Sequence, residues 1–259
     1  MKKLLSLIAL LAAAAPFASS ALASEPLKLR VGVEGAYPPF SSVGPDGKLK
    51  GFDIDIANAL CTEMKAQCTL VQQDFDGMIP ALQARKFDLI VASLSITPER
   101  LKVVDFSNKY YKTPNRLIVK AGVVIDGSPE SFKGKRIGVQ RSSTNDRFAS
   151  ARFSGASITR YAKQDEAYLD LAAGRLDATL VDAVAGDAGF IKTPGGKGYA
   201  FTGPAYDDPE FFGRGVGVAL RKGETTLRDQ LNSAIASMRS KGIYKKIQDQ
   251  YFDFDVYGK

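Results

Sequence analysis

The chain of 259 residues contains no histidine and no tryptophan, and it has only two cysteines. The absence of histidine excludes an imidazole base, a Ser-His-Asp or Cys-His catalytic group, and any zinc site that needs a histidine ligand. Two cysteines are also too few for a metal cluster held by four thiolates. Any enzyme chemistry would depend on carboxylates, lysine, tyrosine or serine, and the sequence predicts no metal and no cofactor.

Runs of a single charge are absent as well, and so are long apolar runs beyond the N-terminus. The 35 basic and 28 acidic residues give a formal net charge of +7, which is spread along the chain. This gives little support to binding of nucleic acid or of a membrane surface. Apolar residues make up 45% and charged residues 24%, a balance that indicates a folded globular protein of one large domain or two small ones.

The N-terminus has the three parts of a secretory signal peptide. Residues 1–3 carry two lysines, Leu4–Phe17 is almost wholly apolar, and Ala21-Leu22-Ala23 forms a cleavage site of the A-x-A type. The alternative is a membrane anchor, but the apolar run is shorter than the roughly 20 residues that span a bilayer. We therefore predict that residues 1–23 are removed and that the mature chain is exported as a soluble protein.

Cys61 and Cys68 fit an oxidising compartment, because six residues between two cysteines favour a local disulfide. A redox-active pair is the alternative, but it would more usually be spaced as C-x-x-C. Closing so short a loop contributes about 2–3 kcal/mol on the chain-entropy description of disulfides.

Strand and helix patterns alternate along the chain, and one unit is present twice. The alternation predicts βαβ units and hence two parallel-sheet lobes with helices on both faces. Ligands of such sheets bind beyond the carboxyl ends of the strands, so two facing lobes would enclose a ligand cleft. The predicted strands are Leu27–Val33, Thr69–Gln72 and Asp88–Ala92, then Arg136–Gln140, Ile158–Ala162 and Asp177–Val181. The predicted helices are Asp53–Lys65, Gly77–Arg85, Asn145–Phe153, Glu166–Gly174, Thr225–Lys241 and Tyr244–Tyr251.

Two of these strands are followed by sequences that can hold an anion. The segment Thr97-Pro98-Glu99-Arg100 is typical of a helix start. Arg100 would project from the first turn, where its guanidinium can bind a carboxylate through two hydrogen bonds. In the second unit Ser142-Ser143-Thr144-Asn145 offers hydroxyls and free backbone N–H groups at a helix start. The alternatives are a surface arginine and a plain capping sequence. The matching positions in the two units favour one anion held across the cleft.

Other side chains at strand ends could bind a cation. Asp182 ends the third strand of the second unit, where it could accept an ammonium or merely cap the next helix. Glu34 and Tyr37 follow the first strand, and Phe75 follows the second. The two aromatics could sandwich an aliphatic stem and Glu34 could neutralise a cation beyond it. Core packing is the alternative for both aromatic residues.

Four segments together resemble the periplasmic polar amino-acid-binding proteins, which are the solute-binding components of ABC importers. They are Glu34-Gly-Ala-Tyr-Pro-Pro-Phe40, Gly51-Phe-Asp-Ile-Asp-Ile56, Ser93-Leu-Ser-Ile-Thr-Pro-Glu-Arg100 and Tyr251-Phe-Asp-Phe-Asp-Val-Tyr257. The likeness covers the whole mature chain, the cysteine spacing fits it, and it is strongest to the lysine/arginine/ornithine and histidine binders.

The resemblance implies an α/β fold of the type II periplasmic binding protein, with two doubly wound lobes, a two-stranded hinge and the ligand cleft between the lobes. The chain would cross near Thr113–Pro114 and again near Pro204–Tyr206. Lobe I would then comprise residues 24–113 and 206–259, and lobe II residues 114–205.

The family's roles transfer to matching residues of this chain. Arg100 with Ser143 and Thr144 would hold the ligand's α-carboxylate. Asp182, the Ser93 backbone and Ser95 would take the α-ammonium. Tyr37 and Phe75 would sandwich the side-chain methylenes, and Glu34 would pair with the distal cation.

Three positions depart from the resembled binders. Glu34 stands where they usually have Asp, which shortens the pocket, and Ala92 stands where they often have a serine hydroxyl near the distal ammonium. Gln140 replaces a common apolar residue and adds a polar group near the ligand. Glu34 and Ala92 also resemble the opine-binding members of the family.

The resemblance therefore implies a monomeric periplasmic protein that captures a basic L-amino acid (arginine, ornithine, lysine or histidine) and delivers it to an importer permease in the inner membrane. The alternatives within the family are an opine binder and a periplasmic cyclohexadienyl dehydratase. A further alternative is a soluble sensor that presents its closed form to a receptor. The expectation is a binding protein rather than an enzyme, because Glu34 and Asp182, the obvious acids, are better explained as ion-pair partners.

Overall fold

The computed structural model describes residues 25–258, so the predicted signal peptide (residues 1–23) lies outside the described residues. The strands are β1 (Lys28–Val33), β2 (Ala36–Tyr37), β3 (Ser41–Val43), β4 (Leu49–Lys50), β5 (Gln67–Gln72), β6 (Leu89–Ile90), β7 (Val104–Tyr111), β8 (Asn115–Lys120), β9 (Arg136–Gln140), β10 (Ser157–Tyr161), β11 (Ala178–Asp182), β12 (Tyr199–Tyr206) and β13 (Val216–Arg221). The α-helices are α1 (Phe52–Glu63), α2 (Met78–Gln83), α3 (Pro129–Phe132), α4 (Thr144–Arg152), α5 (Gln164–Ala172), α6 (Ala183–Gly186), α7 (Pro209–Phe212), α8 (Thr225–Ser240) and α9 (Ile243–Gln248). Apart from the helix predicted to start at Thr97, every strand and helix that the sequence predicts in the two repeated units is present, with ends within two residues of the predicted ones.

Two five-stranded sheets form the centres of two lobes. The first has the order β5-β1-β6-β13-β7 and takes its strands from residues 28–111 and 216–221. The second has the order β10-β9-β11-β8-β12 and takes its strands from residues 115–206. In each sheet the repeated unit supplies three parallel strands, β5-β1-β6 and β10-β9-β11.

Both sheets are mixed, whereas the sequence predicts parallel ones. The two strands of the first sheet that flank β13 are antiparallel to it, and β8 is antiparallel to β11 and β12. The reason lies in the crossings between lobes. Only residues 112–114 separate β7 from β8, so β8 starts at the edge where β11 ends, and Asn115 pairs with Asp182. A strand that enters a sheet at the carboxyl edge of parallel strands must run opposite to them.

The return of the chain to the first sheet, between β12 and β13, depends on glycine. Gly213 has φ +72° and Gly215 has φ +124°, in the region that favours glycine. A Cβ at Gly213 would lie 2.1 Å from the Ile96 carbonyl oxygen, and one at Gly215 would lie 2.9 Å from that of Tyr111. Both approaches are too close for any side chain, so the chain can re-enter the first sheet here only with glycine.

Apolar side chains from both faces of the sheets form the cores. In the first lobe α1 packs against α8 and α9, and aromatic rings stack beneath the cavity described below, as Phe40 does on Tyr111 with centroids 4.6 Å apart. In the second lobe α4 packs on α7 and on the sheet. The disulfide between Cys61 and Cys68 is present, so the predicted structural pairing is confirmed. It joins the end of α1 to the start of β5.

Candidate ligand-binding site

A cavity of about 50 Å³ lies between the two sheets, where the segments that follow their parallel strands meet. Side chains from both lobes line it. The residues that the sequence predicts as ligand contacts and that line this cavity are Glu34, Tyr37, Phe75, Ser93, Ser95, Arg100, Gln140, Ser143, Thr144 and Asp182. The folding of the two units thus brings these separate segments around one space.

Arg100 reaches the cavity from a turn that is shorter than predicted. The sequence predicts an α-helix here, which is wrong, because Arg100–Lys102 forms a single 3-10 turn. Thr97 still caps it, since its Oγ1 accepts a hydrogen bond of 3.2 Å from the Arg100 backbone N–H. The guanidinium donates to the carbonyls of Ser95 at 3.1 Å and, across the cleft, of Ser142 at 3.3 Å. It also lies 5.6 Å from the centroid of the Phe75 ring.

The charge of Arg100 has no carboxylate partner among the described residues, whose ion pairs do not include it. Burial lowers the pKa of this guanidinium to about 10, so it remains a cation at neutral pH. A half-buried cation that touches only carbonyl oxygens and an aromatic ring is a strong site for an anionic group.

The start of α4 faces Arg100 from the second lobe. Ser143 caps this helix, because its Oγ accepts a hydrogen bond of 3.1 Å from the Asp146 backbone N–H and donates one of 2.6 Å to the Gln140 carbonyl. Ser143 is therefore a helix cap, as one interpretation of the sequence predicts. The Thr144 hydroxyl and the free N–H groups of the first turn are available to donate hydrogen bonds to an anion. Asn145 also lines the cavity, and its Oδ1 is buried without a hydrogen-bond partner among the described residues.

Asp182 is both a helix cap and a wall of the cavity. Its Oδ1 accepts hydrogen bonds from the Val184 and Ala185 backbone N–H groups at 2.8 and 3.1 Å, and the Thr113 hydroxyl donates to its Oδ2. Desolvation raises the pKa of this carboxyl to about 6. The two interpretations left open by the sequence are thus compatible, because the capped carboxylate still faces the cavity.

Glu34 contacts the opposite lobe directly. Gln140 donates a hydrogen bond of 2.6 Å from its Nε2 to Glu34 Oε1, and a longer one of 3.4 Å to the Ala162 carbonyl. Glu34 is only 4% exposed, and burial raises the pKa of its carboxyl to about 7, although the Gln140 hydrogen bond lowers it. None of the ion pairs between described residues includes Glu34. Since β1 and β9 lie next to β6 and β11, this pair is displaced by one strand from Ser93 and Asp182.

The aromatic residues Tyr37 and Phe75 line the cavity and also belong to hydrophobic clusters. Each side chain is 8% exposed, so each one packs in the core and can also contact a ligand. Ala92 does not line the cavity. It is 1% exposed and packs in the hydrophobic cluster that contains Phe75.

Several cavity residues are not among the predicted contacts. Asn145 could have been predicted, because it belongs to the helix-start motif Ser142-Ser143-Thr144-Asn145. The segments that cross between the lobes have no sequence pattern that would predict ligand contacts. The other unpredicted residues include Tyr111, Lys112, Thr113, Asn115, Asp207, Phe212, Gly215 and Val216. Among residues 25–258, no three metal-ligating side chains cluster in a way that could hold an ion. No helix in this range is long and apolar enough to cross a membrane.

Two α/β lobes with a buried polar cavity between them define a type II solute-binding fold. Comparison with known proteins agrees, because residues 29–254 match the family described as bacterial extracellular solute-binding proteins, family 3. The chain belongs to this family.

Named relatives of this chain are binding proteins. It is 54% identical over 232 residues to the L-arginine-binding protein of Pseudomonas aeruginosa, which covers 89% of this chain and 90% of the relative. It is 45% identical over 261 residues to the histidine-binding periplasmic protein of Salmonella typhimurium, over all of both chains. It is 44% identical over 260 residues to the lysine/arginine/ornithine-binding periplasmic protein of Escherichia coli, again over all of both chains.

Solved structures share the fold. A Salmonella typhimurium periplasmic binding protein described as having high arginine specificity is similar with a TM-score of 0.80 and 31% identity, over 87% of this chain and 99% of the other. An ancestral amino-acid-binding protein, described as a precursor of cyclohexadienyl dehydratase, is similar with a TM-score of 0.75 and 31% identity, over 87% and 95%.

Proposed function

We propose that this chain captures a basic L-amino acid in the interlobe cavity and delivers it to an ABC importer. One observation carries the proposal: three charges that line the cavity have no ion-pair partners among the described residues. Arg100 lacks an anion, and Glu34 and Asp182 lack cations. A basic L-amino acid has one carboxylate, one α-ammonium and one distal cation, and so supplies a partner for each.

The order of the strands supports an assignment of roles. Arg100, Thr144 and the α4 N-terminus would hold the α-carboxylate, with Ser143 fixing that terminus. Asp182, with Ser93 and Ser95, would take the α-ammonium. Tyr37 and Phe75 would contact the methylenes of the ligand's side chain. Glu34 and Gln140 would bind the distal cation, because β1 and β9 lie one strand away from β6 and β11, which precede Ser93 and end at Asp182, respectively. Ala92 does not line the cavity, so this assignment gives it no direct contact with the ligand.

The named relatives support a basic ligand, because they are arginine, histidine and lysine/arginine/ornithine binders. Within this group the Glu34–Gln140 pair favours a cation with several N–H donors, since it presents acceptor oxygens from two lobes. An opine remains an alternative for the test below, because it too combines a basic side chain with an amino-acid head.

The two chain crossings between the lobes would form the hinge. We propose that lobe I comprises residues 24–113 and 206–259 and that lobe II comprises residues 114–205, with crossings near Thr113–Pro114 and near Pro204–Tyr206. Opening and closing at these crossings would admit and trap the ligand. The protein would act as a monomer in the periplasm after cleavage of residues 1–23, and dock on a permease in the inner membrane.

We also propose that the chain is not an enzyme. A dehydratase needs a cleft acid that protonates a leaving hydroxyl, and a prephenate-like substrate carries two carboxylates. Arg100 can satisfy one of them, but the acids Glu34 and Asp182 would repel the other. Incubation of the purified protein with prephenate or arogenate tests this, and conversion above a no-protein control would contradict it.

A thermal-shift screen tests the binding function. Ligand that binds only the native state stabilises it by RT ln(1 + [L]/Kd), about 4 kcal/mol at a thousandfold excess over Kd. The panel should hold the twenty amino acids with ornithine, citrulline, octopine and nopaline. Basic amino acids should give the largest rises in Tm. A response to none of them, or only to acidic or apolar amino acids, would overturn the proposal.

A further inference from the structure

A third carboxylate lies next to the proposed ammonium site without lining the cavity. Asp53, in the first turn of α1, is completely buried. Its Oδ1 accepts a hydrogen bond of 2.8 Å from the Tyr110 hydroxyl, and its Oδ2 accepts one of 2.9 Å from the Ser93 hydroxyl.

All of these partners are neutral. None of the ion pairs between described residues includes Asp53, and the titratable groups around it are tyrosines and other carboxyls. Tyr110 and Tyr111 approach from β7 and Tyr244 from α9, and the carboxyls of Glu34 and Asp182 add negative charge. A buried carboxylate in such surroundings is costly to ionise, and its pKa is raised to about 7 by burial.

Ser93 connects this carboxylate to the cavity. It lines the cavity, and its backbone has φ +51°, a conformation that a serine adopts only when its surroundings hold it there. The hydrogen bond from the Ser93 hydroxyl to Asp53 helps to hold the serine in this conformation. One residue therefore separates the buried charge from the space where an ammonium would lie.

We propose that Asp53 is a positioning residue that acts through Ser93 as a second counter-charge for the ligand's α-ammonium. The inference rests on the proposed function and deepens it. An ammonium beside Asp182 and Ser93 would face one carboxylate directly and a second one behind the serine. The charge on Asp53 would then discriminate between ligands with an α-amino group and ligands without one.

The test compares arginine with 5-guanidinopentanoate, which is arginine without its α-amino group. Isothermal titration at about pH 8.5, where Asp53 is ionised, should be done on wild type and on Asp53→Asn. The variant keeps the shape and removes the charge. Its affinity for arginine should fall about tenfold or more, and its affinity for the analogue should change by less than about twofold. Its Tm should not fall, because a buried charge has been removed.

Asp55→Asn is the matched control, because Asp55 lies in the same helix and accepts a hydrogen bond of 2.6 Å from the Tyr251 hydroxyl, away from the cavity. It should leave both affinities unchanged. Equal losses for both ligands in Asp53→Asn, or no loss for arginine, would overturn the inference alone. A wild type that does not bind arginine would overturn the proposed function and this inference with it.

A second variant decides the matter if Asp53→Asn does not fold. Tyr110→Phe keeps the carboxylate and removes one of its donors, which should raise the pKa of Asp53 further. Between pH 8.5 and pH 7, arginine affinity should then fall about threefold more in the variant than in wild type. The analogue should show no such additional loss. The same pH dependence in the variant as in wild type would contradict the role of Asp53.

Discussion

Glu34→Gln tests whether this chain recognises the charge of its ligand. The substitution keeps the shape of a side chain that is 4% exposed, and the new amide can still accept the hydrogen bond from Gln140. In wild type a neutral ligand leaves the carboxylate buried without a cation, at a cost of about 2–5 kcal/mol. Each 1.4 kcal/mol is tenfold in affinity, so wild type should prefer arginine to its neutral analogue citrulline by at least about tenfold.

The pKa of Glu34 gives this preference a pH dependence. Because that pKa is about 7, arginine must displace a proton from Glu34 at lower pH, whereas citrulline can leave the proton in place. The arginine-to-citrulline ratio should therefore fall by up to about tenfold per pH unit below pH 7. In Glu34→Gln the ratio should be small and should lack this dependence.

Isothermal titration of both ligands at about pH 8 and pH 6 measures the four ratios. Glu130→Gln makes the same exchange at an exposed position of α3, outside the cavity, and should behave as wild type. If wild type and Glu34→Gln gave the same arginine-to-citrulline affinity ratio at pH 8, Glu34 would not discriminate between charged and neutral ligands. The assignment of a basic ligand would then be refuted, although a binding protein would remain.

Three further predictions concern the head group, the hinge and pH. Arg100→Ala should weaken binding of every amino acid by about 3–5 kcal/mol in titration calorimetry while the fold persists, since Thr97 remains as the cap; unchanged affinity would refute the site. Small-angle scattering should show a smaller radius of gyration with saturating arginine, and an equal radius with proven binding would contradict closure at the crossings. The pKa values of Glu34 and Asp53 are raised to about 7, so the folded state binds more protons than the unfolded one between about pH 4 and 7. The Tm of the ligand-free protein should hence fall from about pH 5 to pH 8, and a Tm that rises over this range would contradict these raised pKa values.

Local patterns were sufficient to predict most of the fold. The strand Arg136–Gln140 has the predicted limits because its apolar core is bounded by polar ends, and the disulfide followed from the spacing of the cysteines together with the predicted export of the chain. The antiparallel strands β8 and β13 could not be predicted in the same way, since their direction depends on where the chain crosses between lobes. No local pattern records that.

In the site, too, some residues could be predicted from the sequence and others could not. Residues at strand ends, such as Arg100 and Asp182, were found because topology places strand ends together. Asp53 was not found, because an aspartate in the first turn of a helix is normally explained by the helix dipole. Only the packing of β7 against α1 reveals that it is buried, with hydroxyl donors and no cation.

The order of strands in the first sheet has a consequence for biosynthesis. β13 lies between β6 and β7, yet it is made more than a hundred residues after them. Residues 115–206 contain every strand of the second sheet, so that sheet can pair fully as soon as residue 206 has been synthesised. Until residue 221 follows, β6 and β7 expose unpaired edges of the kind that pair with other chains. The nascent chain thus completes its second sheet before its first, and the interval between these two events is when it most needs protection from aggregation.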